Sequence, residues 1–577
     1  MSATLRARAV LFVIVLSGLL AAPLAHARDL YILDAPDDVR PLLERFLPES
    51  TVEEDGGDDT GRLGLARRLR RMIPELLATE GYFSPTVDID FRATPMTVKV
   101  IPGKRTEVQQ VSIEFRGAIT GAEFEARRQQ LRTAWSLPVG RPFRQQDWNN
   151  AKNQLQEGTA ATDFAAARIA ESLADIDPET SEAHLSIVID SGPAFTLGAL
   201  EIEGLSDYTP ELIERFNRIR VGDPYTLNAL LSLQSALQST PYFSAVEVDI
   251  DTTTGEHERV PVRVRLSEAK PRRAGFGVGY SSNTGYRAEV TYRDSNIFNR
   301  AWQLSSGVRI EQKEQQAFAD VFFPPEPDGH RNSVGGLIDR SHIEGLRIDK
   351  KSVGVARTHP RGNIETRIGL SMQSETVHPD GGEESHTQAL ALNWSWTQRA
   401  VDNLLNPTSG YVLNVQFGGA SKAVLSDANF VRSYGRLVTY WPILKTDVLQ
   451  VRGEVGYTAA KNRQDVPEDF LFRTGGAQTV RGYSYLSLGV KDADATVGGR
   501  YMAVGSVEYT HWMKGNLGIA AFVDAGNAAD ELKGFDFKLG IGTGVRWRSP
   551  AGPLAVDLAY GYDDRRLRLH LSIAIAF

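Results

Sequence analysis

The chain has 577 residues, too many for one ordinary domain, and a formal net charge of −8. That balance supplies no bulk electrostatic attraction for nucleic acid. It contains no cysteine, which excludes disulfides, thiolate metal sites and a cysteine nucleophile.

The N-terminal stretch MSATLRARAVLFVIVLSGLLAAPLAHA carries Arg6 and Arg8, an apolar run from Ala9 to Leu20, and a small-x-small ending at Ala25-His26-Ala27. This predicts a secretory signal peptide over residues 1–27; a membrane anchor is the rival, and the shortness of the run weighs against it. No later window holds about 18 uninterrupted apolar residues, so no transmembrane helix is expected. Any membrane span must then be made of strands.

Residues 28–269 repeat. Phe83, Phe164 and Phe243 each precede alternating strands, and VGRPF (139–143) and VGDPY (221–225) each open a stretch with helical spacing of apolar residues. The predicted unit is strand–helix–helix–strand–strand, three times over, with boundaries at 28–103, 104–193 and 194–269. A period near 80 residues implies a modular array. Within the first unit ARRLRRM (66–72) falls on a predicted helix, as a solvated basic face or a site for an acidic partner.

From residue 270 to 577 the texture changes to long alternating runs. In GPLAVDLAYGY, Leu554, Val556, Leu558, Tyr560 and Tyr562 share one face, with Ala555, Asp557, Ala559 and Gly561 on the other. In LGIAAFVDAG, Leu517, Ile519 and Val523 alternate with Gly518, Phe522 and Asp524, so Asp524 belongs to the face away from the apolar row. A soluble sandwich would share this alternation. The regular apolar face, strand-like segments of about 10 residues and a terminal Phe favour a transmembrane antiparallel β-barrel of roughly 16 strands. Trp302, Trp394, Trp396, Trp441 and Trp512 are candidate interface-girdle residues, or packing residues within strands.

Catalytic chemistry is not expected. No G-x-S-x-G or H-E-x-x-H motif occurs, and the close glycines of LGIGTGVRW precede a strand rather than a phosphate-binding helix. No cofactor and no metal site are anticipated.

Three tandem repeats before a barrel, with Val480-Arg481-Gly482-Tyr483 between strands, resemble the outer-membrane assembly and translocation superfamily of BamA/TamA type, whose periplasmic repeats are called POTRA domains. Phe522-x-Asp524-x-Gly526 resembles its FxDxG strand motif, and GTGVRWRSPAGPL (542–554) its penultimate-strand region. Asp402, Pro407 and Gly410 resemble its D-x4-P-x2-G turn. The repeat count is similar to the TamA branch; BamA-like members have five repeats, and two-partner secretion pores two and a plugging helix.

The resemblance implies α+β POTRA repeats, β-α-α-β-β in order, lying in the periplasm, followed by a barrel in the outer membrane. It implies that the Val480–Tyr483 loop folds into the lumen and that Arg481 meets Asp524. Inside a barrel an unpaired guanidinium or carboxylate loses hydration, and pairing lets both stay charged; Gly475, Gly476 and Gly482 let the loop bend. The bland alternative is a solvated loop-tip arginine. The resemblance further implies clients that are unfolded outer-membrane proteins such as autotransporters, and an inner-membrane-anchored TamB-like partner. A general BamA-like insertase and a two-partner secretion pore remain family alternatives, and a passive porin lies outside the family.

The first barrel strand is expected at 273–282, with Gly275, Gly277 and Gly279 on one face, closed by the strand 566–577 carrying Ser572, Ala574 and Phe577. Little packs across such a seam, which suggests a gate opening sideways; the glycines would alternatively make room for the inserted loop. Terminal Phe577 resembles the signal by which outer-membrane barrels are themselves recognised.

Overall fold

The computed structural model describes residues 30–48, 59–252, 259–444, 446–513, 515–549 and 552–573. The predicted signal peptide, Ala574 and Phe577 lie outside these residues, as does the side chain of Ser572. The chain falls into two compact units, one running to Ala199 with 220–229 and 250–261, the other made of 200–219, 230–249 and 262 onward.

The same element order occurs three times before residue 270. In the first set the strand Tyr31–Asp34 lies parallel to Met96–Ile101, which pairs antiparallel with Thr86–Asp90. Met96, Val98 and Val100 alternate inward, and helix Asp59–Thr79 meets them with Ala66, Leu69, Ile73 and Leu77, a 3-4-4 spacing that forms one stripe. The arginines of ARRLRRM fall between those positions and face solvent, apart from the stripe itself.

The second set runs from strand Glu107–Arg116 through helices Glu125–Thr133 and Gln145–Ala160 to strands Arg168–Asp177 and Glu182–Asp190. Phe164, fully buried beside Trp148 and Leu155, explains why an aromatic recurs ahead of each strand pair. The third set comprises Thr196–Glu203, Pro210–Glu214, Leu227–Gln238, Phe243–Ile250 and Arg259–Glu268. In each sheet the last strand in sequence lies in the middle.

The larger unit contains a 16-stranded antiparallel sheet from Arg272–Ser281 to Arg566–Ile573, in which successive strands of the sheet pair throughout. Period two holds as expected. In Leu517–Ala529, Leu517, Ile519 and Val523 face outward while Ala520, Phe522 and Asp524 are buried. Trp394 and Trp396 share the outward face with exposed Leu392.

The expected closing strand, 566–577, is described only to Ile573. Among the described residues no backbone ladder joins the last strand to the first; they are the two edges of the sheet. Ser282 is the link, its Oγ donating to the Leu571 carbonyl (3.3 Å) and accepting the Leu571 N–H (3.1 Å). Barrel strands are staggered, and antiparallel counting from that contact leaves, among the described residues of the last strand, Ser572 and Ile573 level with the first strand. Arg566–His570 lie past its end.

Candidate functional site: the lumenal loop and its acidic wall

Between strands Asp447–Ala460 and Tyr501–Trp512 the chain leaves the wall as residues 461–500. Its apolar side chains hold it in place. Val480, Tyr483, Phe472 and Leu488 are buried with Met502, Val504 and Ala528 of the wall. The wall makes room where it must: a Cβ at Gly456 would lie 2.5 Å from the Phe472 ring.

This packing delivers Arg481 to the lumenal faces of four successive strands, Tyr501–Trp512, Leu517–Ala529, Lys538–Ser549 and Gly552–Gly561. The expected pair forms. Arg481 Nε donates to Asp524 Oδ2 (2.7 Å) and Nη2 to Oδ1 (2.9 Å), a two-pronged clasp, and the Arg481 backbone N–H adds a third bond to Oδ2 (3.0 Å). Asp524 is 0 % exposed. The guanidinium also lies 3.3 Å above the centre of the Phe522 ring.

The pair belongs to a larger cluster that the sequence reading missed. Arg481 Nη1 reaches Glu508 Oε2 (2.6 Å) and Asp557 Oδ2 (3.1 Å). Arg546 clasps Glu508 with Nε (2.8 Å) and Nη2 (2.7 Å) and also bonds Asp557. Ser506 Oγ donates to Asp524 Oδ1 (2.6 Å). Three buried carboxylates thus share two guanidiniums. Burial disfavours the charged form of Arg481, but the hydrogen bonds and charge of Asp524, with Glu508 and Asp557, outweigh it and hold the proton more tightly than usual. The available signal was a charge at the inward parity of an alternating strand, a criterion that Glu508, Arg546 and Asp557 all meet.

The neighbouring motif residues are fixed by geometry. Gly482 has φ +94°, and a Cβ there would lie 2.7 Å from Gly561 N. Its N–H donates to His570 Nε2 (3.0 Å), and Arg568 bonds its carbonyl. Tyr483 donates to Asp563 Oδ2 (2.8 Å) and accepts the Asp563 N–H (3.2 Å); burial, ahead of Asp563, pushes its phenol up to about 12. A Cβ on Gly526 would sit 2.8 Å from Val504 Cγ2 and 3.0 Å from Val480 Cγ2, so this glycine seats the loop.

A second anchor holds the other end of the loop. Lys350 Nζ bonds both oxygens of Asp469 (3.0 Å each), Glu375 Oε1 accepts the Glu468 N–H (2.6 Å), and Thr496 N–H donates to the Glu344 carbonyl (2.9 Å).

The seam residues are placed separately. Gly275, Gly277 and Gly279 all face the lumen opposite Thr291, Glu289 and Arg287, while Phe276 (83 % exposed) and Val278 (91 %) face outward. A Cβ would meet only Glu289 Cβ at 3.9 Å from Gly277, and nothing from Gly279. At those two positions no loop atom lies within 4 Å of a Cβ. Ser572 pairs with Ala555 in the backbone register. Among the described residues no His/Asp/Glu group is arranged to hold a metal.

The family model described as the Omp85 superfamily domain matches residues 270–577, the whole barrel. The chain belongs to the Omp85 superfamily. A POTRA model, described as a surface antigen variable number repeat, matches residues 195–269. The chain is therefore an outer-membrane barrel with an N-terminal POTRA region in the periplasm. The outer membrane protein assembly factor BamA of Nitratidesulfovibrio vulgaris is 25% identical over 388 residues, covering 63% of this chain and 48% of that protein. BamA of Neisseria meningitidis serogroup B is 20% identical over 570 residues, covering 85% and 69%. The chain thus spans about half the length of the first of these Omp85 relatives and about two thirds of the second. The crystal structure of BamA from Haemophilus ducreyi lacking POTRA domains 1–3 matches with a TM-score of 0.69 at 16% identity, covering 81% of this chain and 99% of that one, a likeness of fold.

Proposed function

We propose that this Omp85 protein assembles β-rich clients into the outer membrane, offering the edge of its first barrel strand as a template for an incoming strand. The observation that carries this reading is the seam. The two edge strands have no ladder among the described residues, and the first presents glycines that no neighbour requires at Gly277 and Gly279. An unpaired edge is a ready acceptor of backbone hydrogen bonds from another chain. The reaction is non-covalent, so no bond-breaking site is needed.

The finer reading is of TamA type: all three β-α-α-β-β sets act as POTRA domains, at 28–103, 104–193 and 194–269, and receive autotransporter-like clients together with a TamB-like inner-membrane-anchored partner. The three sets support it. A general BamA-like insertase is the second reading, favoured by relatives named BamA. A pull-down with residues 28–268 as bait separates them: recovery of an inner-membrane-anchored partner supports the first, and its absence supports the second. The common claim is tested in proteoliposomes. Full-length protein should speed folding of an urea-unfolded barrel client into the bilayer, and a client that folds no faster than in empty liposomes would overturn it.

A further inference from the structure

One feature of the outer wall lies away from both loop and seam. Strands Glu314–Phe322, Arg331–Ile343, Leu346–Arg361 and Ile364–Pro379 are consecutive neighbours, and on their outward faces a concavity of about 560 Å³ opens. Its floor is Ala319 opposite Gly336, and Ile338, Val353 and Met372 stand around it. Lys351 closes one end, with Ser374 beside it in register. Lys351 is exposed on this row and has no ion pair among the described residues. Along its strand, one outward position nearer the turn, Asp349 takes both Arg340 and Arg347 (3.1 Å to the latter), so two further cations stand above the groove with one carboxylate between them.

That end is the extracellular one. The chain enters the barrel at Arg272, so strand ends remote from it, including Leu346, face outside. On the outward row of Leu346–Arg361 only Val353 and Val355 separate Lys351 from Arg357, about 20 Å of strand. A barrel's apolar band is normally about 25 Å tall even before strand tilt is allowed for. The band is short here, and a cation sits where hydrocarbon would otherwise begin. A chain lying in the groove places its anionic headgroup at Lys351, deeper than the surrounding leaflet.

We propose that this groove is a specific site for a phosphorylated, multiply acylated glycolipid of the outer leaflet, with one acyl chain along Ala319 and Gly336 and a phosphate on Lys351. Charge and shape then act together: the apolar groove takes the chain and the unpaired ammonium takes the anion.

The test uses the full chain in detergent, titrated with bis-phosphorylated lipid A and followed by native mass spectrometry, only in preparations that keep heat-modifiable, folded barrels. Wild type should retain lipid A in preference to phosphatidylcholine and phosphatidylglycerol. Lys351→Glu should weaken retention on the order of tenfold, Lys351→Arg should keep it, and Gly336→Leu, which fills the groove without touching the charge, should weaken it too. Equal retention of phosphatidylcholine, or Lys351→Glu and Gly336→Leu binding like wild type, would overturn the site. Phosphatidylglycerol held as tightly as lipid A through Lys351 would overturn its assignment to the glycolipid.

Discussion

Arg481 has three carboxylate partners, and this alters what its removal does. Arg481→Ala leaves Asp524 buried with only Ser506 and the residue 481 N–H, at a cost of about 3–5 kcal/mol for the docked loop. Asp524→Ala leaves Arg481 still bonded to Glu508 and Asp557, so it should cost less. The double variant should fall short of the sum of the two, measured as heat-modifiable barrel and as client assembly, because neither charge is then stranded; strict additivity would argue against the coupling. Arg481→Lys should not rescue, since one ammonium cannot clasp Asp524 with two prongs and also cover the Phe522 ring. Gly482→Ala should match Arg481→Ala in severity, because its φ of +94° and its contact with Gly561 N both forbid a Cβ. The Arg481–Asp524 contact was legible because a motif named both ends. The rest of the cluster lay in plain alternating strands, where parity alone marks an inward charge and nothing marks which charges meet across three neighbours.

At the scale of elements, the glycines of the first strand make a prediction opposite in sign to those of the loop. Gly277→Ala and Gly279→Ala meet no obstruction, so each should stabilise the barrel by about 0.5–1 kcal/mol through reduced backbone freedom. If strand opening is the working step, both should slow client assembly while raising the unfolding temperature. Faster or unchanged assembly in the stabilised variants would remove the seam from the mechanism. The loop offers a second element-scale test through Glu468, buried and bonded to the Gly498 N–H (2.9 Å). Burial raises its pKa above the ordinary 4.5 despite Arg473. A carboxyl whose folded pKa is raised lends stability that is full below the unfolded value and is lost as pH rises through the folded one. Protection of the loop from protease should therefore decline from acid toward neutral pH, and Glu468→Gln should flatten that decline. Element types were legible throughout, because period two and the 3-4-4 helical stripes are properties of local sequence. The stagger that carries Arg566–His570 past the end of the first strand was not, because it depends on the tilt of sixteen strands together.

For the whole molecule, the test lies in the three tandem sets that precede the barrel in the chain. Removing residues 29–265 should abolish client assembly while the barrel still inserts; a barrel that assembles clients without them would make the repeats dispensable. The array was readable from spacing because each set is a self-contained sheet with its last strand in the middle, whereas nothing in the spacing tells which partner it meets. The central claim is that the two edge strands must part. Because the chain has no cysteine, a scan of engineered cysteine pairs, one from residues 275–282 and one from 568–573 around the Ser282–Leu571 contact, can lock the seam cleanly. The account predicts that the oxidised protein stays a folded, heat-modifiable barrel but assembles no client, and that reduction restores assembly. Full client assembly with the seam quantitatively crosslinked would contradict it.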